Sequence, residues 1–169
     1  SGEIEAKVVL PVRRAEQHTF QLLTKAPGRL RKFSAALPKN LWVGVSAPPS
    51  KINGRVLTPY AQRRYVDVAL TVLHGLDVPV KWMSLEPLSF DIAPLMGNCG
   101  LQWAVIGAAT NGVKVYQPQA EWVTNLLSVL DAQHVAVFFK GNIRGNMAIT
   151  RWREEFPGGA FGIGHEAVV

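Results

Sequence analysis

The stretch Val80-Lys81-Trp82-Met83-Ser84-Leu85-Glu86-Pro87 decides how this chain is read. It is a short, mostly apolar run of strand length that stops on Ser84, Glu86 and Pro87. Proline lacks a backbone donor, so the strand ends there, and a carboxylate at that end is a poor core residue. Four other segments repeat the pattern of an apolar run closed by a polar group: residues 20–25, 41–46, 103–110 and 135–140. Amphipathic helical stretches separate several of them. Strand, loop, helix and strand in repetition predict a parallel sheet with crossover helices. In such sheets chemistry sits at the carboxyl ends of the strands. Those ends carry Thr24 and Lys25, Ser46, Ser84 and Glu86, Thr110 and Lys140.

Working outward, residues 3–16 place Ile4, Val8, Val9 and Val12 near helical spacing, with Pro11 expected to kink or divide the helix. Pro27-Gly28 opens a helix to about residue 36. Pro59 fits the first turn of a helix over 60–74, and Gly75 fits its stop. Residues 120–133 form the clearest helix, with Trp122, Val123, Leu126, Leu127 and Leu130 on one side. Residues 47–58, 87–100 and 108–118 read as loops, with one helical turn near 92–96. Residues 141–147 hold two Gly and two Asn around Arg144 and also read as a loop. No element is assigned beyond about residue 155, which leaves the tail 148–169 open. Five strands and about four helices make one α/β domain over 1–169. Their spacing fits an open doubly wound sheet or part of an eight-stranded barrel.

At 169 residues, 48% of them apolar, the chain suits one domain with a real core. No run approaches the roughly 20 apolar residues that span a bilayer. The single cysteine, Cys99, excludes an internal disulfide framework and fits a reducing cytoplasm. It also excludes a cysteine-ligated iron–sulfur cluster within these residues. A net charge of +6 and a pI near 9.8 favour anionic partners, nucleic acid or a phosphate-bearing ligand. The basic residues are dispersed along the sequence, and no block reads as a nucleic-acid arm. The four histidines are scattered without metal-ligand spacing.

Five short motifs carry a resemblance. They are Leu23-Thr24-Lys25-Ala26-Pro27, Gly44-Val45-Ser46, Ser84-Leu85-Glu86-Pro87-Leu88, Trp103-Ala104-Val105-Ile106-Gly107 and Phe138-Phe139-Lys140. In this order and spacing, over about residues 15–157, the chain resembles a phage-associated family of unknown function, the gene-product 37/68 type. Its fold is similar to the radical S-adenosylmethionine barrels, which include DNA-repair photoproduct lyases. The resemblance implies a partial (β/α) barrel of about five parallel strands, lacking its N-terminal strands. It implies S-adenosylmethionine and an iron–sulfur cluster only together with a preceding cysteine-bearing part. No cofactor is expected in this chain alone. Leu85 stands where the family has a cysteine, and Gly107-Ala-Ala-Thr-Asn-Gly112 lacks the family's carboxylate at that place.

Glu86 is the candidate catalytic residue, as a base or as the partner of an ammonium; an ion pair with Lys25 or Lys140 is the alternative. Thr24, Lys25, Ser46, Ser84, Lys140 and Arg144 are candidates for binding an anion or substrate. Lysine presents a compact charge on a long reach, and the Gly-rich loop around Arg144 offers backbone amides. Two functions follow. One is the substrate- or cofactor-binding part of a radical-S-adenosylmethionine-like protein. The other is a non-catalytic nucleic-acid-binding or phage interaction module. Five strands leave two edges open, so self-association or docking onto a missing N-terminal half is expected, unless the N-terminal helix and the tail cover them.

Overall fold

The computed structural model describes residues 9–33 and 37–159. Five strands form one parallel sheet in the order β1-β2-β5-β6-β9. They are β1 (Phe20–Thr24), β2 (Leu41–Ser46), β5 (Lys81–Leu85), β6 (Trp103–Ile106) and β9 (Ala136–Phe139). Each strand lies beside the one that precedes it in the sheet, with no reversal of order. The helices pack on one face. Helix α1 is Leu10–Arg14, α2 is Pro59–His74 and α3 is Ala120–Ala132. Val12, Val66, Leu70, Leu73, Val123, Leu126 and Leu130 join Val43, Val45, Met83, Leu85, Ile106 and Phe139 in one apolar cluster. The alternate residues, Trp42, Trp82, Trp103 and Val105, form a second cluster on the other face with Phe138 and Phe156. A singly wound sheet with helices on one side is the arrangement of a barrel segment, whereas a doubly wound sheet has helices on both. The five strands do not close on themselves among the described residues.

Several expectations change. Residues 3–8 of the first expected helix lie outside the described residues; Pro11 sits in the first turn of α1. Pro27–Phe33 is a 3₁₀ helix, and the residues that would have extended it to 36 lie outside those described. Gly28 weakens an α-helix by about 1 kcal/mol relative to Ala, and 3₁₀ geometry serves such short pieces. Two expected loops are hairpins. Lys51–Ile52 (β3) pairs with Arg55–Val56 (β4) around Asn53-Gly54, whose φ values are 50° and 77°. Ala109–Asn111 (β7) pairs with Lys114–Tyr116 (β8) around Gly112, at φ 59°. Positive φ at these turn positions matches the twist of the paired strands.

The outer edge of β9 is not bare. Phe139 N–H donates to Arg153 O, and Glu155 N–H to Val137 O, each at 2.9 Å. The Glu155 carboxylate accepts from Val137 N–H at 2.9 Å, and Trp103 Nε1 donates to Glu155 O at 2.9 Å. The tail thus seals an edge expected to invite a partner, because its backbone supplies the missing ladder. The other edge strand, β1, carries no further strand among the described residues.

Candidate functional site

Strand register sorts the candidate residues. Leu23, Gly44, Trp82, Trp103 and Ala136 form one row across the sheet. Side chains alternate along a strand, so the same face next presents Ser46, Ser84, Val105 and Phe138. Ser46 and Ser84 are direct register neighbours and are 7% and 4% exposed. Beyond them Glu86 and Lys140 meet at 3.7 Å, with side chains 32% and 48% exposed. Four of the seven candidates, Ser46, Ser84, Glu86 and Lys140, therefore share the carboxyl end of the barrel-side face.

The other three do not join them. Thr24 shares its face with Phe20 and Leu22, which pack toward the helices. Its Oγ1 accepts from Ala26 N–H at 3.0 Å, which turns the chain out of β1. Arg144 stacks on Trp152 at 4.4 Å, and Trp152 packs on Phe139 of the helix-side cluster. Lys25 accepts at its carbonyl from the Tyr65 hydroxyl at 2.6 Å. With Tyr60, Arg64 and Tyr65 it lines a cleft of about 490 Å³ between the 3₁₀ helix and α2. A comparable cleft of about 510 Å³, lined by Arg13, Glu16 and Lys39, lies near the amino end of β2, away from these groups.

Other residues shape the site without having been singled out from sequence. A Cβ on Gly107 would lie 3.0 Å from Glu86 Cγ and 3.2 Å from Asn142 Oδ1, so the glycine makes room for both. The Asn142 amide clamps Ala108, accepting from its N–H at 3.1 Å and donating to its carbonyl at 2.9 Å. Gln117 Nε2 holds the Asn142 carbonyl at 2.9 Å. The Glu86–Pro87 peptide is cis. Trp82 lies flat over Gly44, and its Nε1 is buried with no acceptor among the described residues. Most buried polar atoms are satisfied, so this unpaired donor beside Gly44 is a notable one.

An iron–sulfur cluster does not fit the described residues. Cys99 is fully buried, and its thiol and amide both bond to Gln133 Oε1. Burial pushes that thiol up, away from the thiolate a metal needs. No group of three or more His, Cys, Asp or Glu is placed to hold a metal among the described residues. No helix among them is long and apolar enough to cross a membrane.

A family model for proteins of unknown function, DUF5131, matches residues 2–155. The chain belongs to the DUF5131 family. No curated protein and no solved structure matches it. The match ends at Glu155, so the DUF5131 region includes the five strands, both hairpins and the residues that seal β9.

Proposed function

We propose that this DUF5131 chain is a ligand-binding unit of the radical-S-adenosylmethionine-like barrels, with its site at the carboxyl ends of the strands. The observation that carries the reading is the Glu86–Lys140 pair on the barrel-side face of a singly wound sheet. A carboxylate and an ammonium held side by side are the complement of a ligand end bearing one charge of each sign. Lys140 takes the ligand's carboxylate and Glu86 its ammonium, so one internal pair is exchanged for two. Parting the existing pair costs little, since solvent-exposed pairs contribute about 0–1 kcal/mol. S-Adenosylmethionine has an α-amino-acid end of this kind and supplies, when bound, a sulfonium whose carbon–sulfur bond can be cleaved. Ser46 and Ser84 add hydroxyls beside the pair. The Trp82 N–H offers a buried donor to any acceptor that reaches the floor.

Calorimetric titration of the chain with S-adenosylmethionine tests this. Saturable binding is expected, which departs from the expectation that the chain alone takes no cofactor. Glu86→Gln and Lys140→Met each remove one charge-assisted contact, worth about 1.5–3 kcal/mol, and should weaken binding roughly 10- to 150-fold. No saturable binding, or binding untouched by both changes, overturns the reading.

A further inference from the structure

The basic residues are dispersed in sequence, but the fold collects them. The segments that leave the carboxyl ends of β1, β2, β6 and β9 are residues 25–33, 47–58, 107–118 and 140–151. They contain ten Lys and Arg and no Asp or Glu. The whole chain is only +6, so the remainder of the sequence is acidic on balance. The segment after β5 brings Glu86 and Asp91 to this end, and Glu121 lies there in the first turn of α3. Glu86 faces Lys140, and Asp91 is engaged by Ala93 N–H and Asn125 Nδ2. One end of the sheet is therefore strongly positive.

Aromatic and apolar side chains stand among these charges. Tyr60 is 72% exposed at the start of α2, directly after the β3–β4 hairpin that carries Lys51 and Arg55. Tyr116 is 47% exposed on the β7–β8 hairpin, with Lys114 Nζ 5.0 Å from its ring centre. The cleft beside Tyr60 combines two tyrosines with Lys25 and Arg64. Cations that follow a backbone and exposed rings that take bases are what a single nucleic-acid strand requires. A duplex offers the same phosphates but keeps its bases stacked inside.

We propose that this face binds a single nucleic-acid strand, with bases on Tyr60 and in its cleft and phosphates on Lys25, Arg64, Lys51 and Arg55. The binding is independent of the Glu86–Lys140 pair and of any ligand held there. Charge complementarity selects a polyanion, and the exposed tyrosines select one with free bases.

Fluorescence anisotropy of the full chain with a labelled oligothymidylate tests it, beside the matching duplex and poly-glutamate. The single strand should bind tightest, with affinity falling steeply as salt rises, by a log–log slope of about −0.7 per phosphate contacted. Tyr60→Ala should weaken binding roughly 5- to 150-fold, the range for one stacked base, and Tyr60→Phe should restore it. Lys51→Glu with Arg55→Glu should flatten the salt slope. Lys39→Ala, at the amino end of β2, should change nothing. Glu86→Gln should leave strand binding intact even if it abolishes small-ligand binding, which separates the two proposals. No binding at low salt, equal binding of poly-glutamate, or equal binding of duplex with no effect of Tyr60→Ala would overturn the inference.

Discussion

Gly44 lies directly beneath the indole of Trp82: a Cβ at residue 44 would come within 2.2 Å of Trp82 Cε2. The two are register partners on adjacent strands, so neither can slide away without breaking the ladder. Gly44→Ala should therefore destabilise the fold by about 1–3 kcal/mol, the usual cost of overpacking a filled core. Urea denaturation would show a lower midpoint with an unchanged slope. Adding Trp82→Leu should return part of the loss, since the smaller side chain frees the space. An unchanged midpoint for Gly44→Ala alone would mean that the indole moves freely.

Asn142 makes both of its amide bonds to Ala108, which follows β6, the strand between those that end at Glu86 and Lys140. Asn142→Ala leaves an N–H and a carbonyl without partners in a partly buried place. Each such group costs about 1–3 kcal/mol if water cannot reach it. Stability should fall within that range. Hydrogen exchange at the Ala108 amide should accelerate more than exchange in β2. Uniform acceleration would show a global effect and no local clamp.

The seal on β9 should weaken in acid. The Arg153 guanidinium, bonded to both Glu155 oxygens, holds that carboxyl below its ordinary value of 4.5. A depressed folded-state pKa stabilises the fold above the unfolded value. That contribution is lost as pH falls from about 4.5 through the folded value. The Glu155 side chain is 41% exposed, so solvent screening limits the effect to about 0.2–1 kcal/mol. Glu155→Gln should lower stability by about that amount near neutrality and flatten the profile in the acid window, so that the two proteins converge at low pH. A wild-type profile that is already flat there would show that the pair contributes nothing.

Cys99 should be inert in the native chain. It is fully buried, its thiol is pushed up by burial, and it bonds Gln133. Thiol labelling with an aromatic disulfide should be slow in buffer and rapid in denaturant. Gln133→Ala removes the acceptor shared by the Cys99 amide and thiol, and should speed labelling. Fast native labelling would contradict the buried placement.

The strands were legible because each is a continuous apolar run that stops on a polar residue, and the five observed strands fall on the five expected places. Spacing did not choose between wound and barrel-like sheets, because that choice depends on which face the helices cover. The two hairpins are legible in Asn53-Gly54 and Asn111-Gly112, since Asn-Gly is a strong local hairpin signal. Alternation from Phe20 and Leu22 also placed Thr24 toward the helices. The clamp at Asn142 was not legible, since Asn in a Gly-rich run reads as loop whatever it binds. Nor was the seal on β9, where Arg153 and Glu155 look like ordinary surface charge. The charged face was hidden for another reason: residues far apart in sequence meet only because every strand points the same way.

The neighbour order β1-β2-β5-β6-β9 also has a meaning in time. Each strand adds to the one made before it, so a chain leaving the ribosome always has its template already in place. Assembly can run in the direction of synthesis and advances along a single growing edge. That edge is the hazard, since an unsealed parallel strand can recruit a neighbouring nascent chain. The hazard ends when Arg153 and Glu155 emerge and lie down along β9. A ribosome-stalled chain halted just short of them should be the form most prone to clump.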